Sequence, residues 1–165
     1  MKKKTKNRLF FYLFILFFFA GAQSFAYRSM ITGAPPPIIA ETITGEPFEL
    51  NRLHGKPAVI YFWATWCGIC KAMKGSINAI GEDYPVISLA LKSGNSADIA
   101  QYIQGQGINV PVLSDTTGAV GQRYGILGVP TAFILGPEGM VRFSTVGYTT
   151  EIGLRIRLWL AAYLS

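Results

Sequence analysis

A chain of 165 residues with 50% hydrophobic side chains and a formal net charge of +6 is long enough to bury one core and basic enough to suggest a nucleic-acid partner. The placement of the charge excludes that partner. Six basic residues (Lys2, Lys3, Lys4, Lys6, Arg8 and Arg28) fall in residues 1–28, which hold no acid, while residues 29–165 carry nine basic and nine acidic residues and no Lys/Arg stripe with interleaved aromatics.

Residues 1–28 read as an export segment. Five positive charges lead into the apolar run Leu9–Ala22, 14 residues long, and counting on to Tyr27 gives 19, near the ~20 that span a bilayer. The dense Phe and Leu favour retention as a single inner-membrane anchor, with the basic end in the cytoplasm and the body in the periplasm. Ser24-Phe25-Ala26 offers the alternative: cleavage at about Ala26 and release as a soluble periplasmic protein. Residues 29–37, Pro/Gly-rich from Thr32 to Pro37, form a joint to a domain at 38–165.

In that domain, Glu41–Leu50 predicts two extended arms around a turn at Thr44-Gly45. The loop at 53–57 precedes Pro57–Ala64, an apolar run rich in β-branched and aromatic residues that predicts a strand buried on both faces. Cys70, Met73, Ile77 and Ile80 then recur at helical spacing. Residues 85–91 predict a second buried strand, and 96–107 a helix capped by Ser96 and stopped by Gly107. A short strand (109–115) and a short helix (116–125) follow. Thr131–Leu135 and Met140–Val146 predict a hairpin around Gly136-Pro137-Glu138-Gly139. The last helix, 150–163, has an apolar stripe of Ile152, Ile156, Trp159, Leu160 and Tyr163, expected to pack on the sheet, with a partner surface as the alternative. The alternation predicts an α/β domain with a mixed central sheet flanked by helices.

The only two cysteines, Cys67 and Cys70, lie in WATWCGICKAM, where the buried strand gives way to a helix. Haem attachment needs His directly after the second cysteine, and Lys71 stands there. Structural zinc needs about four ligands, and the single histidine, His54, reads as a loop residue. Two thiolates still suit Cu(I). A structural bridge over a two-residue spacer closes a very small loop and constrains the unfolded chain least. Redox chemistry fits the position better, because the positive end of the helix stabilises a thiolate. On this reading Cys67 is the exposed nucleophile, Cys70 the buried resolving thiol, and Trp66 an apolar contact for a partner. No metal, nucleotide or flavin is implied, since the chain has neither a phosphate loop nor a ligand cluster.

FWATWCGIC at a strand-to-helix junction, followed about 60 residues later by Gly128-Val129-Pro130-Thr131, resembles the active-site segments of thioredoxin-fold proteins. The resemblance implies that Pro130 is cis and lies against the cysteines, and that Val129, Pro130 and Thr131 shape a substrate groove. Gly55-Lys56-Pro57, the run Asp115, Gly118, Tyr124, Gly125, and the Gly-Pro-Glu-Gly turn are similar to the TlpA-like envelope group. Tyr27-Arg28-Ser29-Met30 with Gly33 and Pro35 resembles the ScsD-like branch associated with suppression of copper sensitivity. The implied activity is thiol–disulfide exchange with protein thiols and disulfides, in copper-stress or cytochrome-maturation pathways, reset by a membrane electron-transfer protein or another envelope thiol protein. The chain departs from the pattern in three places: Tyr61 stands where thioredoxins carry a buried Asp, Met73 where many cytochrome-maturation members carry Glu, and the spacer Gly68-Ile69 lacks the Pro of thioredoxins. Tyr61 reads as a core aromatic and a poor base. A thiol peroxidase shares the fold, but the Pro and Thr expected before its cysteine are replaced by Ala64-Thr65-Trp66.

Overall fold

The computed structural model describes residues 11, 12, 14, 15, 17, 18 and 29–163. The expected anchor or signal at 1–28 therefore lies outside the described residues, apart from those six positions, which are helical and exposed. Among the described residues, no helix is long and apolar enough to cross a membrane.

The sheet and its helices belong to the unit Ile31–Ser165. Strands β1 (Ile39–Glu41) and β2 (Pro47–Glu49) form a small antiparallel ribbon. Strand β3 (Ala58–Trp63) leads into helix α1 (Gly68–Asp83). Then come β4 (Val86–Leu91), α2 (Ser96–Gln106), β5 (Val112–Asp115), α3 (Ala119–Arg123), β6 (Thr131–Leu135), β7 (Val141–Val146) and α4 (Glu151–Tyr163). The main sheet runs β5-β4-β3-β6-β7. β3 is parallel to β4 and antiparallel to β6. This is the thioredoxin fold, with β3 at its centre.

All six residues of β3 are buried, which is why its sequence is continuously apolar instead of alternating. Val59, Tyr61 and Trp63 join one core cluster with Cys70, Met73 and Ile77 of α1 and Leu154, Leu158 and Ala161 of α4. The intervening Phe62 turns the other way and packs on Tyr124 and Phe133, with ring centroids 5.3 and 6.0 Å away. Tyr124 donates its hydroxyl proton to the carbonyl of Pro36 at 2.8 Å. The buried carboxylate of Asp115 accepts from the N–H groups of Val120 and Gly121 and so holds the start of α3.

Three expectations are corrected. Helix α2 is capped by Asn95, whose side chain accepts from the N–H groups of Ala97 and Asp98, while Asp98 closes a capping box; Ser96 is already inside the helix. Asn95 reaches those N–H groups with a longer side chain than serine has, from one residue earlier. The C-terminal stop is as expected, since Gly107 adopts φ 65°. The last hairpin strand starts at Val141, not Met140. The stripe of α4 does not pack on the sheet. Ile152, Ile156, Trp159 and Tyr163 are 54–72% exposed, and Leu154, Leu158 and Ala161 face inward instead. The helix is apolar on both faces, so hydrophobicity alone could not tell which one the sheet would take.

Candidate active site

The end of β3 delivers the cysteines. Ala64, Thr65 and Trp66 turn the chain, Cys67 takes the N-cap position of α1 in an extended conformation, and Cys70 sits one turn in. The two are joined as a disulfide, with sulfurs 2.13 Å and Cα atoms 5.3 Å apart. The N–H of Cys70, among the donors that a helix start leaves without backbone partners, points at the Cys67 sulfur at 3.1 Å. When the bond opens, that N–H and the positive helix end favour charge on Cys67.

Register brings the second motif to the same place. Phe62 near the end of β3 pairs with Thr131 at the start of β6, so the residues just before β6 lie beside those just after β3. The Val129–Pro130 peptide is cis. The carbonyl oxygen of Val129 lies 3.7 Å from the Cys67 sulfur. Val129 is half-buried and Pro130 buried. Thr131 lies under the surface, 1% exposed, and its hydroxyl donates to the carbonyl of Gly128 at 2.7 Å. Its side chain therefore braces the turn and does not face outward.

Trp66 is 66% exposed. Its indole N–H donates to the carbonyl of Lys92 at 3.2 Å, and the N–H of Thr65 donates to Ser93 Oγ at 3.0 Å. The Ser93 hydroxyl in turn donates a hydrogen bond to the carbonyl of Leu91. The loop after β4 thus props the loop that carries Trp66, with Lys92 held at φ 46°. Sequence reasoning missed this bracket, because a Ser and a backbone carbonyl carry no pattern. It also missed Ile69 and Leu127, both more than half exposed beside the cysteines and the Val129–Pro130 turn. The available signal was an apolar residue inside the CxxC spacer for Ile69 and an apolar loop residue just before the Gly128–Thr131 motif for Leu127.

Cys67 differs from expectation in one respect: it is 6% exposed, nearly as buried as Cys70 at 5%. The disulfide pulls its sulfur inward against the N–H of Cys70 and the carbonyl of Val129. Behind Cys70 lies the buried ring of Tyr61, whose hydroxyl has no hydrogen-bond partner. Burial, with a smaller contribution from Tyr102, pushes its pKa well above the usual tyrosine range. The ammonium of Lys74 donates to the carbonyl of Gln106, and that of Lys71 stands 5.9 Å above the Tyr102 ring. His54 is far from this group in the fold, against Gly139 of the hairpin turn: a Cβ added to Gly139, which has φ +82°, would come 2.1 Å from His54 Nε2. Among the described residues, no group of three or more His, Cys, Asp or Glu is arranged to hold a metal ion.

Comparison with known proteins gives a consistent result. The model of the AhpC/TSA family matches residues 31–144. A Thioredoxin-like protein of Haemophilus influenzae is 32% identical over 165 residues, covering 99% of this chain and 98% of the relative. The thiol-disulfide oxidoreductase ResA of Bacillus subtilis is 29% identical over 164 residues, covering 90% of each. The exposed lipoprotein thioredoxin Etrx1 of Streptococcus pneumoniae superposes with a TM-score of 0.69 at 24% identity, over 76% of this chain and 99% of that one. This last likeness speaks for the fold.

Proposed function

Because the chain belongs to the AhpC/TSA family, we propose that it is a protein thiol–disulfide oxidoreductase of the bacterial envelope that exchanges its Cys67–Cys70 bond with partner proteins. The observation that carries this is a disulfide at a helix N-terminus, flanked by the Val129 carbonyl, with exposed Trp66 and Ile69 next to the cysteines in the chain and exposed Leu127 two residues before Val129.

The chemistry follows from the geometry. A partner thiolate attacks the Cys67 sulfur, the Cys67–Cys70 bond breaks, and its electron pair leaves on Cys70. A second partner thiolate then displaces Cys67, so the partner is oxidised and the pair reduced. In reverse, the Cys67 thiolate attacks a partner disulfide, and Cys70 resolves the mixed disulfide by attacking Cys67. Trp66, Ile69 and Leu127 give a partner an apolar seat. Val129, half-exposed beside Pro130, presents backbone to an extended segment.

Export and tethering by residues 1–28 are part of this proposal, supported by the basic head and apolar run. So is membership of the ScsD-like branch, supported by Tyr27-Arg28-Ser29-Met30 with Gly33 and Pro35, and so is a redox-resetting membrane or periplasmic partner. Residues 29–37 serve as the joint and 38–165 as the working domain.

The test is the reduction potential of the Cys67–Cys70 couple in the purified full chain, equilibrated with glutathione and dithiothreitol buffers. A value near roughly −270 mV would identify a reductase, and one near roughly −120 to −180 mV an oxidant or isomerase. A pair that exchanges with neither buffer would overturn the proposal.

A further inference from the structure

Helix α4 leaves four large apolar side chains uncovered. Ile152, Ile156, Trp159 and Tyr163 are 70%, 54%, 57% and 72% exposed, although Leu154, Leu158 and Ala161 on its other side are fully buried. Spacings of four, three and four residues keep the exposed four on one stripe. The rings of Trp159 and Tyr163 touch, with centroids 4.9 Å apart. Single exposed apolar residues are ordinary, whereas a contiguous stripe marks a surface that something covers.

Strand register places the stripe relative to the cysteines. Phe62, Thr131 and Val146 share one row across β3, β6 and β7, at the end where the chain runs on into Cys67. Ala58, Leu135 and Val141 share the row at the opposite end. Helix α4 starts at Glu151, just past Val146, and runs back. Its Arg155 already reaches Asp83 and the carbonyl of Ala79, at the C-terminal end of α1, at 2.7 and 3.2 Å. Trp159 and Tyr163 follow about one and two turns later, at the end away from the cysteines. The chain enters the domain at that same end, where the N–H of Val141 donates to the carbonyl of Gly33 at 2.7 Å and the N–H of Gly33 donates back at 3.4 Å.

We propose that the outer face of α4 docks on the surface of a lipid bilayer, the one that residues 1–28 enter in the tethering reading above. The inference rests on that reading and adds a second, non-covalent seat for the domain. Gly33 follows Arg28 by five residues, at most about 18 Å of extended chain, so a tether ending there keeps the far end of α4 within reach of lipid. The chemistry of the stripe suits that surface. Trp and Tyr favour the boundary between headgroups and acyl chains, where the ring is in apolar surroundings and its N–H or O–H stays wet. Ile152 and Ile156 extend the apolar side, as in helices that lie in the interface plane. Arg155 is neutralised by Glu151 and Asp83. Arg157 bonds the carbonyl of Gly153 through one nitrogen and forms no ion pair among the described residues, which leaves donors for lipid phosphate. A second copy of this chain is the weaker occupant. Even at roughly 150–250 Å2 for a whole aromatic side chain, four partly exposed side chains fall short of the roughly 800 Å2 per partner of a standard interface. A bilayer needs no matching shape and accepts a stripe of this size.

The experiment reconstitutes the full chain in vesicles of phosphatidylethanolamine and phosphatidylglycerol, with and without bromine-labelled phosphatidylcholine. The indole emission of Trp159 is read as the difference between wild type and Trp159→Phe, which cancels Trp63 and Trp66. The expected result is loss of that emission in the brominated vesicles and its return in Ile156→Glu, with the rate of disulfide opening by dithiothreitol the same in all three proteins. Emission equally bright with and without bromine, from chains that sediment with the vesicles, would overturn this inference alone and leave the tether standing. Quenching that persists in Ile156→Glu would also defeat it, because the stripe would not be what holds Trp159 at the lipid. Emission that shifts with protein density and not with the lipid label would assign the stripe to a second copy instead. A chain that does not stay with the vesicles would bring down the tether and this inference together.

Discussion

The sulfur of Cys67 lies 3.7 Å from the carbonyl oxygen of Val129, 62 residues further along the chain. In the disulfide this is a contact, since neither sulfur carries a proton. Once the pair is reduced, a neutral Cys67 thiol has an acceptor within reach, while the thiolate has the N–H of Cys70. The antiparallel pairing of β3 with β6 creates the contact by aligning Phe62 with Thr131. The site is thus a product of strand register: a shift of one residue would turn every side chain of β6 to the opposite face.

The different placements of the two sulfurs give an asymmetric pair of variants. Cys70→Ser leaves Cys67 able to attack but removes resolution, so mixed disulfides with partner proteins should accumulate and be visible on non-reducing gels. Cys67→Ser should trap few or none, and turnover should fall to background in both. Equal trapping by the two variants would mean that Cys67 is not the attacking thiol.

Leu127 is 63% exposed beside the Val129–Pro130 turn. Leu127→Glu should leave the fold intact and the opening of the disulfide by dithiothreitol unchanged. Reduction of a protein disulfide should slow by a factor of about 5–30, as expected for about 1–2 kcal/mol of lost apolar contact. Equal effects on small and large substrates would place the partner elsewhere.

The two faces of α4 should respond differently to truncation. Leu158 is fully buried, and Leu158→Ala should cost about 2–5 kcal/mol in urea unfolding. Ile156 is 54% exposed, and Ile156→Ala should stay within about 0.5 kcal/mol of wild type. A large loss at Ile156 would restore the packing expected from its spacing.

Alkaline stability follows from two buried phenols. Burial holds Tyr61 and Tyr124 above the ordinary value of 10.0, with Arg123 opposing the rise at Tyr124. Above about pH 10 the unfolded chain releases these protons while the folded one keeps them. Their stabilising contribution is therefore complete below that pH and is lost as pH rises beyond it. Urea midpoints should fall steadily above about pH 10, and less so in Tyr61→Phe. Tyrosinate absorbance from both residues in the still-folded protein would contradict this.

Much of the site was legible before any coordinates. Cys67 and Cys70 announced themselves by spacing at a strand-to-helix junction, and the buried set Cys70, Met73, Ile77 and Ile80 followed from helical periodicity. Local interactions write such features directly into the chain. The cis peptide at Pro130 was legible only through family resemblance, since a single proline between Val129 and Thr131 has no local signature.

Taken by itself, the sequence determined the elements, the redox pair and the continuously buried central strand, because propensity, periodicity and capping act over a few residues. The tertiary structure decided everything that depends on what lies across a gap. It chose which face of the doubly apolar α4 would be covered, and it brought the Lys92–Ser93 bracket under Trp66. It also drew Cys67 nearly as far from solvent as Cys70, and left the Tyr61 hydroxyl without a hydrogen-bond partner. Burial and polar partners are set by atoms supplied from distant parts of the chain, and one-dimensional order does not encode those distances.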